Sequence, residues 1–154
     1  MTFERSEDWQ LVKQIITHER IYPHVTDDFA PPAAEWEPLK HPDVWYCVAR
    51  DCREVLGLWA LIPENRICWK VHTCLLPIAW GERALRAALE FREWIWANTN
   101  CERLNTDVPV FNRIALRFAQ AAGMEQFGVN PKSFKKGGRL HDQIMLGISR
   151  PGAT

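Results

Sequence analysis

The hydrophobic pattern along the chain has a helical period before residue 44. Apolar side chains recur there at the spacing of one helix face: Trp9, Leu11, Val12, Ile15 and Ile16. Ser6 comes just before them and is a good N-terminal cap, with Glu7 and Asp8 in the first turn. We therefore expect a helix over 6–18 and a second short helix or turn over 21–28. The proline-rich segment 29–43 is predicted to be a loop.

From residue 44 the pattern becomes that of strands rich in β-branched and aromatic residues. Polar turns separate them, so the first three form an antiparallel meander, and Pro77 ends the third. Helical spacing then returns, and Gly123 stops the second of the later helices. The predicted elements are strands over 44–49, 55–62 and 67–76, a helix from 81 or 82 to 98, a strand over 103–108, a helix over 112–122, and strands over 124–129 and 144–149. A stretch containing Lys135 and Gly138 joins the last two strands.

This order of elements predicts an α/β (α+β) fold. A meander followed by a β-α-β crossover and a closing hairpin gives a mixed, mainly antiparallel sheet with helices on both faces. The length of 154 residues suits one domain over 1–154. Within it, 1–43 forms a helical region with a loop, and 44–149 forms the sheet and its core.

Composition narrows the function classes. Lys plus Arg and Asp plus Glu number 19 each, and this neutrality argues against a nucleic-acid or membrane-surface partner. The chain has no apolar run long enough to predict a membrane span, and its first residues lack the apolar core of a signal sequence. The five cysteines show no Cys-x-x-Cys pair, which favours buried thiols in a reducing cytoplasm and no metal site. Core packing explains most of the eight tryptophans, although their excess favours a contact surface.

The segment Thr73-Cys74-Leu75-Leu76-Pro77-Ile78-Ala79-Trp80-Gly81-Glu82-Arg83-Ala84-Leu85 carries a resemblance to a known family. It resembles the acyl-CoA-dependent N-acetyltransferase (GNAT) superfamily, in which a strand ends at a proline step and a glycine loop opens a helix. The resemblance implies acetyl-CoA as cofactor, with its pyrophosphate held by backbone N–H groups at the helix start. Asn112-Arg113-Ile114-Ala115 resembles a second family motif, whose Asn contacts the pantetheine arm. The implied cofactor-binding residues are Leu75, Leu76, Trp80, Gly81, Glu82, Arg83, Ala84 and Asn112.

The sequence departs from the family pattern at two places. Arg83 stands where the family has its central glycine and Leu85 where it has the final Gly or Ala, so Gly81 alone remains as a loop glycine. A side chain there restricts close approach to phosphate. Arg83 either pairs a phosphate directly or fills the pocket and excludes the cofactor. Ala119 stands where many members carry a general-acid Tyr.

Four polar residues are candidates for chemistry with an amine. His72 is the best-placed general base and Asp107 a second base or substrate contact. Asp27 and Asp28 lie in the region that lines the acceptor site in GNAT proteins, so they are candidates for holding a cationic substrate. Each also has a purely structural interpretation: an outward strand position for His72, a turn or cap for Asp107 and a solvated loop for Asp27 and Asp28. Asn112 equally fits a helix cap.

Two hypotheses follow from the resemblance. In the first, the chain transfers an acetyl group from acetyl-CoA to a small-molecule or peptide primary amine in the cytoplasm. In the second, it is a non-catalytic protein that acts through contacts with other protein chains. The chain also resembles small GNAT-like proteins encoded by tailed bacteriophages, which implies a virion or head-assembly role in the host cytoplasm or the particle. The altered loop, Ala119 and the tryptophans favour the second.

Overall fold

A computed structural model describes residues 1–154. Its centre is a single sheet of seven strands in the order β1-β2-β3-β4-β5-β7-β6. The strands are β1 (Thr2–Arg5), β2 (Trp45–Asp51), β3 (Glu54–Pro63), β4 (Cys68–Leu75), β5 (Arg103–Pro109), β6 (Glu125–Lys136) and β7 (Arg139–Ser149). The helices are α1 (Trp9–Ile16), α2 (Tyr22–Val25), α3 (Glu82–Asn98) and α4 (Arg113–Ala121). All neighbouring strands are antiparallel except β4 and β5, so the predicted mixed, mainly antiparallel sheet is confirmed.

The core lies in two unequal parts. The larger cluster of 17 buried residues joins α3 to one face of β2, β3 and β4, where Phe91 stacks on Trp59 at 4.4 Å between ring centroids. A second cluster of 10 joins α1 and α2 to the opposite face of the same strands. We call β1–β4 with these helices the N-terminal arm, and β5, β7, β6 and α4 the C-terminal arm. The C-terminal arm has a separate cluster of only three buried residues, Val108, Ala119 and Leu146.

The helix periods predicted α3 and α4 well. Near the N-terminus the predicted cap at Ser6 was wrong, and one strand was not predicted. Residues 2–5 form β1 at the sheet edge, paired with β2. The first helix begins at Trp9 rather than near Ser6, because the Asp8 side chain accepts the hydrogen bond from the Leu11 N–H. The second helix is limited to Tyr22–Val25.

The last two strands are longer than predicted. The stretch around Lys135 is not a loop: β6 and β7 continue to a two-residue turn at Gly137 and Gly138. Both glycines have positive φ, 60° and 73°, as this tight hairpin turn requires. The hairpin therefore extends well beyond the rest of the sheet, towards α2.

Most of the tryptophans serve the core. Trp59, Trp69 and Trp96 are buried, and among the eight only Trp80 is exposed. The tryptophan excess therefore does not mark a broad contact surface. No helix is both long enough and apolar enough to cross a membrane.

Candidate functional site

The two arms are joined by a short ladder and then separate. β4 and β5 pair in parallel only at Cys68–Arg103, Trp69–Leu104 and Lys70–Asn105. Beyond these pairs β4 continues to Leu75 bonded to β3, and β5 continues to Pro109 bonded to β7. We call the gap between residues 71–75 and 106–109 the β4–β5 opening. It exposes backbone of two strands in the middle of a sheet, which is where a ligand is able to enter.

An ion pair lies at the closed end of the opening. Lys70 Nζ lies 2.6 Å from Asp107 Oδ2 and 3.4 Å from Glu64 Oε1. Partial burial tends to lower the pKa of Lys70, but the hydrogen bond and charge of Asp107, followed by those of Glu64, outweigh it and raise that pKa. Lys70 is therefore charged and holds Asp107, so the predicted second base is already paired with a cation.

His72 follows Lys70 on β4, with its side chain two positions along the same face of the sheet. It is open to solvent, yet protein atoms surround it closely enough to lower its pKa by desolvation. The charge of Lys70 lowers that pKa further, and Asp107 acts in the opposite direction. The imidazole is therefore neutral at pH 7, the state in which it is able to accept a proton.

The edge of β4 offers unpaired backbone groups to the opening. The Leu76 N–H donates to the Leu56 carbonyl on β3 at 2.8 Å, so the Leu75 carbonyl of the same peptide points away from β3 and into the opening. Thr73 has the same orientation because backbone direction alternates along a strand. The Trp80 indole Nε1 donates to that Leu75 carbonyl at 2.9 Å. An extended ligand arm pairing with β4 would therefore meet Trp80.

A glycine behind Leu75 allows the strand to bend at this level. Gly57 on β3 has φ +137° and lies opposite Leu75, next to a register shift between β2 and β3. A Cβ at residue 57 would lie 2.7 Å from the Leu75 Cα and even closer to the Cys74 carbonyl. Only glycine fits this approach, so residue 57 helps to shape the wall of the opening.

The loop after β4 brings the start of α3 to the opening. A 3-10 turn over Pro77–Ala79 leads to Gly81, whose φ of +83° makes it the N-cap of α3 without a side-chain cap. The N–H groups of Glu82 and Arg83 have no acceptor in the protein, whereas Ala84 and Leu85 donate to the Gly81 carbonyl. A 17-residue helix with free N–H groups at its start favours an anion there.

Arg83 is already paired within the protein. Its Nη2 lies 2.5 Å from Glu54 and 3.1 Å from Asp51, at the β2–β3 turn. The hydrogen bond to Glu54 is the main cause that raises the pKa of Arg83. The same guanidinium donates from Nη1 to the Ile78 carbonyl in the loop at 3.4 Å, so it lies beside the loop, and its part in phosphate binding stays a prediction. A different cation is near the loop: the Arg20 guanidinium carbon lies 5.1 Å from the Trp80 ring centroid, and Arg20 makes no ion pair.

Asn112 stands at the start of α4, after the strand on the far side of the opening. Its Oδ1 accepts the Ala115 N–H at 3.1 Å, so it caps the helix as the structural interpretation expected. Its amide N–H groups make no hydrogen bond within the protein. A contact of Asn112 with a ligand stays a prediction.

No phenol reaches the opening. Ala119 is 7% exposed and packs against Val108 and Leu146, inside the C-terminal arm. The Tyr22 hydroxyl donates to the Pro31 carbonyl at 2.5 Å, and the Tyr46 hydroxyl bonds to Leu39. Two hydroxyls that the sequence did not single out flank the opening, on Thr73 of β4 and Thr106 of β5.

The two acidic residues after α2 have different roles. The carboxylate of Asp28 accepts the N–H groups of Gly137 at 2.9 Å and Gly138 at 2.8 Å, and these bonds lower its pKa. Asp28 is thus held by the hairpin turn rather than free for a cationic substrate. Asp27 accepts only the nearby Phe29 N–H, at 2.9 Å. Its role in acceptor binding stays a prediction.

The predicted residues therefore fall into two groups. His72 and Asp107 lie together with Lys70 on the face of the sheet that α1 and α2 cover. Trp80, Gly81, Glu82 and Arg83 form the loop at the start of α3, which covers the other face. The opening connects the two faces. No three His, Cys, Asp or Glu side chains lie close enough together to hold a metal ion.

No protein-family model matches the chain, and no curated protein is significantly similar to it in sequence. Solved structures do match. A spermidine N-acetyltransferase from Vibrio cholerae, in complex with CoA and spermine, has a TM-score of 0.76 at 17% identity, covering 96% of this chain and 94% of its own. A ribosomal-protein-S5-alanine acetyltransferase from Vibrio fischeri has a TM-score of 0.70 at 14% identity, covering 99% and 94%. These likenesses confirm the GNAT fold.

Proposed function

We propose that the chain is an N-acetyltransferase that moves the acetyl group of acetyl-CoA to a primary amine. One observation carries this proposal: the β4–β5 opening, with unpaired strand backbone, leads directly to the free N–H groups of Glu82 and Arg83 at the start of α3. An extended arm that ends in phosphates fits such a path. The shared fold with acetyltransferases supports the same interpretation but does not by itself assign an activity.

The residues present fit acetyl-CoA if one hydrogen bond, from the Trp80 indole to the Leu75 carbonyl, is broken. Thr73 and Leu75 offer backbone groups to the amides of a pantetheine arm, as an added strand would use them. The N–H groups of Glu82 and Arg83 would hold the pyrophosphate, and Arg20 would add a free cation beside Trp80. The Trp80 indole has to release the Leu75 carbonyl for the arm to pair along the full strand.

His72 acts as the general base in this proposal. Its neutral imidazole takes a proton from the ammonium form of the acceptor, directly or through one water. The free amine then attacks the thioester carbonyl carbon, the C–S bond breaks, and the acetyl group ends on nitrogen, which releases its extra proton to solvent as the amide forms. The thiolate takes a proton from solvent, because position 119 offers no hydroxyl. Positioning of the two reactants provides most of the rate enhancement.

The acceptor is an amine with one positive charge rather than a polyamine. Spermine, which is bound in the Vibrio cholerae structure, carries several positive charges, and several unpaired carboxylates are the groups that would recognise such a polycation. Here the carboxylates on the acceptor side are engaged: Asp107 with Lys70, and Asp28 with the hairpin turn. Among the predicted carboxylates, Asp27 alone remains for a single ammonium group.

A non-catalytic role is the second candidate, and two observations favour it. The Trp80 indole is bonded to the Leu75 carbonyl, and the charge of Arg83 is already paired with Asp51 and Glu54. In that case the fold serves only as a surface for other proteins. The comparisons give no support to the bacteriophage and virion part of this alternative, which stays a prediction.

Binding of acetyl-CoA separates the two functions. Thermal unfolding is measured with and without acetyl-CoA, alongside isothermal titration calorimetry. A ligand at 100 times its Kd stabilises the folded state by about 2.7 kcal/mol, so a clear rise in Tm is expected. Absence of any shift or heat at millimolar acetyl-CoA rules out the enzyme.

The role of His72 is tested by acetyl transfer to a panel of monoamines. We expect His72→Ala to lower kcat about 100-fold or more while leaving acetyl-CoA affinity unchanged. His41→Ala is the matched control, because His41 is an exposed imidazole in the segment before β2. Equal rates for both variants would remove His72 from the mechanism.

A further inference from the structure

The hairpin turn of β6 and β7 is bonded to the segment after α2 by contacts in both directions. Asp28 accepts the N–H groups of Gly137 and Gly138, and its own N–H donates to the Lys135 carbonyl at 3.0 Å. Lys136 Nζ donates to the carbonyls of Pro23 at 2.9 Å and Thr26 at 2.6 Å. We call these five hydrogen bonds the clasp. They join residues more than 100 positions apart, so they are not a local turn motif.

The clasp connects the two arms of the molecule. Ile21 and Tyr22 pack in the cluster that includes Cys74 of β4, so α2 belongs to the N-terminal arm. The hairpin belongs to the C-terminal arm, because β7 pairs with β5. The only strand pairing between the arms is the three-residue ladder of β4 and β5. The β4–β5 opening is therefore bounded by the ladder at one end and spanned by the clasp on the side of α2.

The turn does not need Asp28 for its own geometry. Gly137 and Gly138 adopt the positive φ angles of a two-residue hairpin turn, and no Cβ clash or side chain is involved in either conformation. The N–H groups of the turn would otherwise face water at little cost. The carboxylate of Asp28 is thus used to hold the hairpin against α2 rather than to form the turn.

We propose that Asp28 is a positioning residue: through the clasp it fixes the separation of the two arms and so sets the width of the β4–β5 opening. The ladder, together with the packing of Leu104, Met124 and Ile148 against the α3 cluster, holds the arms at one end only. That end acts as a hinge, because the far ends of the arms remain free to move. The clasp removes that freedom on the side where His72 lies. Any effect of the clasp on the binding of an amine acceptor rests on the proposed function. The effect of the clasp on the width of the opening does not.

The width of the opening is measurable without any ligand. Spin labels are placed on Ile78→Cys and Ile114→Cys, 56% and 84% exposed, which follow β4 and β5 on either side of the opening. The exposed Cys52 is replaced by Ser in this background. Double electron–electron resonance then gives the distance distribution. We expect a narrow distribution in the parent protein and a clearly broader one with Asp28→Ala.

Asp27→Ala is the matched control, since its carboxylate contacts only the nearby Phe29 N–H. It should keep the narrow distribution. Asp28→Asn keeps one acceptor oxygen and should give an intermediate width, which carries the test if Asp28→Ala does not fold. Hydrogen exchange checks the contact itself: the Gly137 and Gly138 amides should exchange at least about tenfold faster in Asp28→Ala.

Loss of protection at Gly137 and Gly138 with an unchanged distance distribution would overturn the proposal, because the clasp would then act only on the turn. If acetyl transfer is also observed, Asp28→Ala should raise the KM for the amine about tenfold with little change in kcat. The distance measurement uses ligand-free protein, so failure of the clasp proposal and failure of the proposed activity remain distinguishable.

Discussion

The two arms differ in how many of their side chains are packed in a buried core. The N-terminal arm buries both faces of its strands, with 17 residues on the side of α3 and 10 on the side of α1 and α2. The C-terminal arm has one covered face and a cluster of its own with only three buried residues, while Leu104 of β5 belongs to the α3 cluster, although β6 and β7 are the longest strands in the molecule. One arm is held by its own core, whereas the other depends on ties to its neighbour. A site between the arms is therefore bounded on one side by the well-packed N-terminal arm and on the other by the less firmly held C-terminal arm.

The largest difference between the arms should appear on removal of a core leucine. Leu58 and Leu146 are both 0% exposed, one in each arm. We expect Leu58→Ala to lower the free energy of unfolding by about 4 kcal/mol and Leu146→Ala by about 2.5 kcal/mol, because the smaller cluster collapses more easily around a cavity. Urea unfolding measures both. Equal losses would mean that the arms are packed alike.

The ion pair at the junction should affect both stability and titration. Lys70→Gln leaves Asp107 half-buried without its cation, which should cost about 1–2 kcal/mol. It also removes a charge that lowers the pKa of His72 and leaves Asp107, which raises it. The pKa of His72 should therefore rise. An NMR titration of the His72 ring measures this shift, and the acid limb of kcat/KM should move to higher pH.

The clasp should make the C-terminal arm sensitive to acid. The pKa of Asp28 in the folded state is below its ordinary value of 3.8, so its contribution is complete above pH 3.8 and is lost as pH falls through the lowered folded value. Wild type should lose stability more steeply than Asp28→Asn below pH 4. Asp27→Asn should follow wild type. The effect is modest, because the carboxylate is solvent-exposed.

The smallest effect is expected at the loop between β4 and α3, on the N-terminal arm. Arg20→Ala should weaken acetyl-CoA binding about threefold, since an exposed cation contributes less than 1 kcal/mol. Arg66→Ala is the control, because Arg66 lies in the turn before β4, at the far end of the strand from the loop. Calorimetry at two salt concentrations should show that the Arg20 contribution shrinks as salt is raised.

The sequence predicted the N-terminal arm better than the C-terminal arm because more of the N-terminal arm is buried in a core. Long apolar periods specify buried elements, so β2, β3, β4 and α3 were placed within a few residues. β1 has a single apolar residue, Phe3, among polar ones, and its strand conformation depends on pairing with β2. The β6–β7 hairpin carries lysines and a proline, which look like a loop, although two consecutive glycines were a turn signal.

The local structure around Gly81 was predicted, but the contacts of the charged residues near it were not. The strand, proline step and glycine at residue 81 are local features that a sequence shows directly. The partners of Arg83 at Asp51 and Glu54, and of Asp28 at Gly137 and Gly138, are distant in the chain. Charged residues in loops look alike in a sequence until the fold decides which of them meet.

The position of Trp80 gives the molecule a built-in optical reporter. It is the one exposed tryptophan of eight, and its indole nitrogen is bonded to a carbonyl at the mouth of the opening. A soluble quencher such as iodide should reach this indole more readily than the buried and half-buried ones, so the most strongly quenched part of the emission belongs to Trp80. A change in the environment of one ring then registers entry into the opening at protein concentrations far too low for calorimetry.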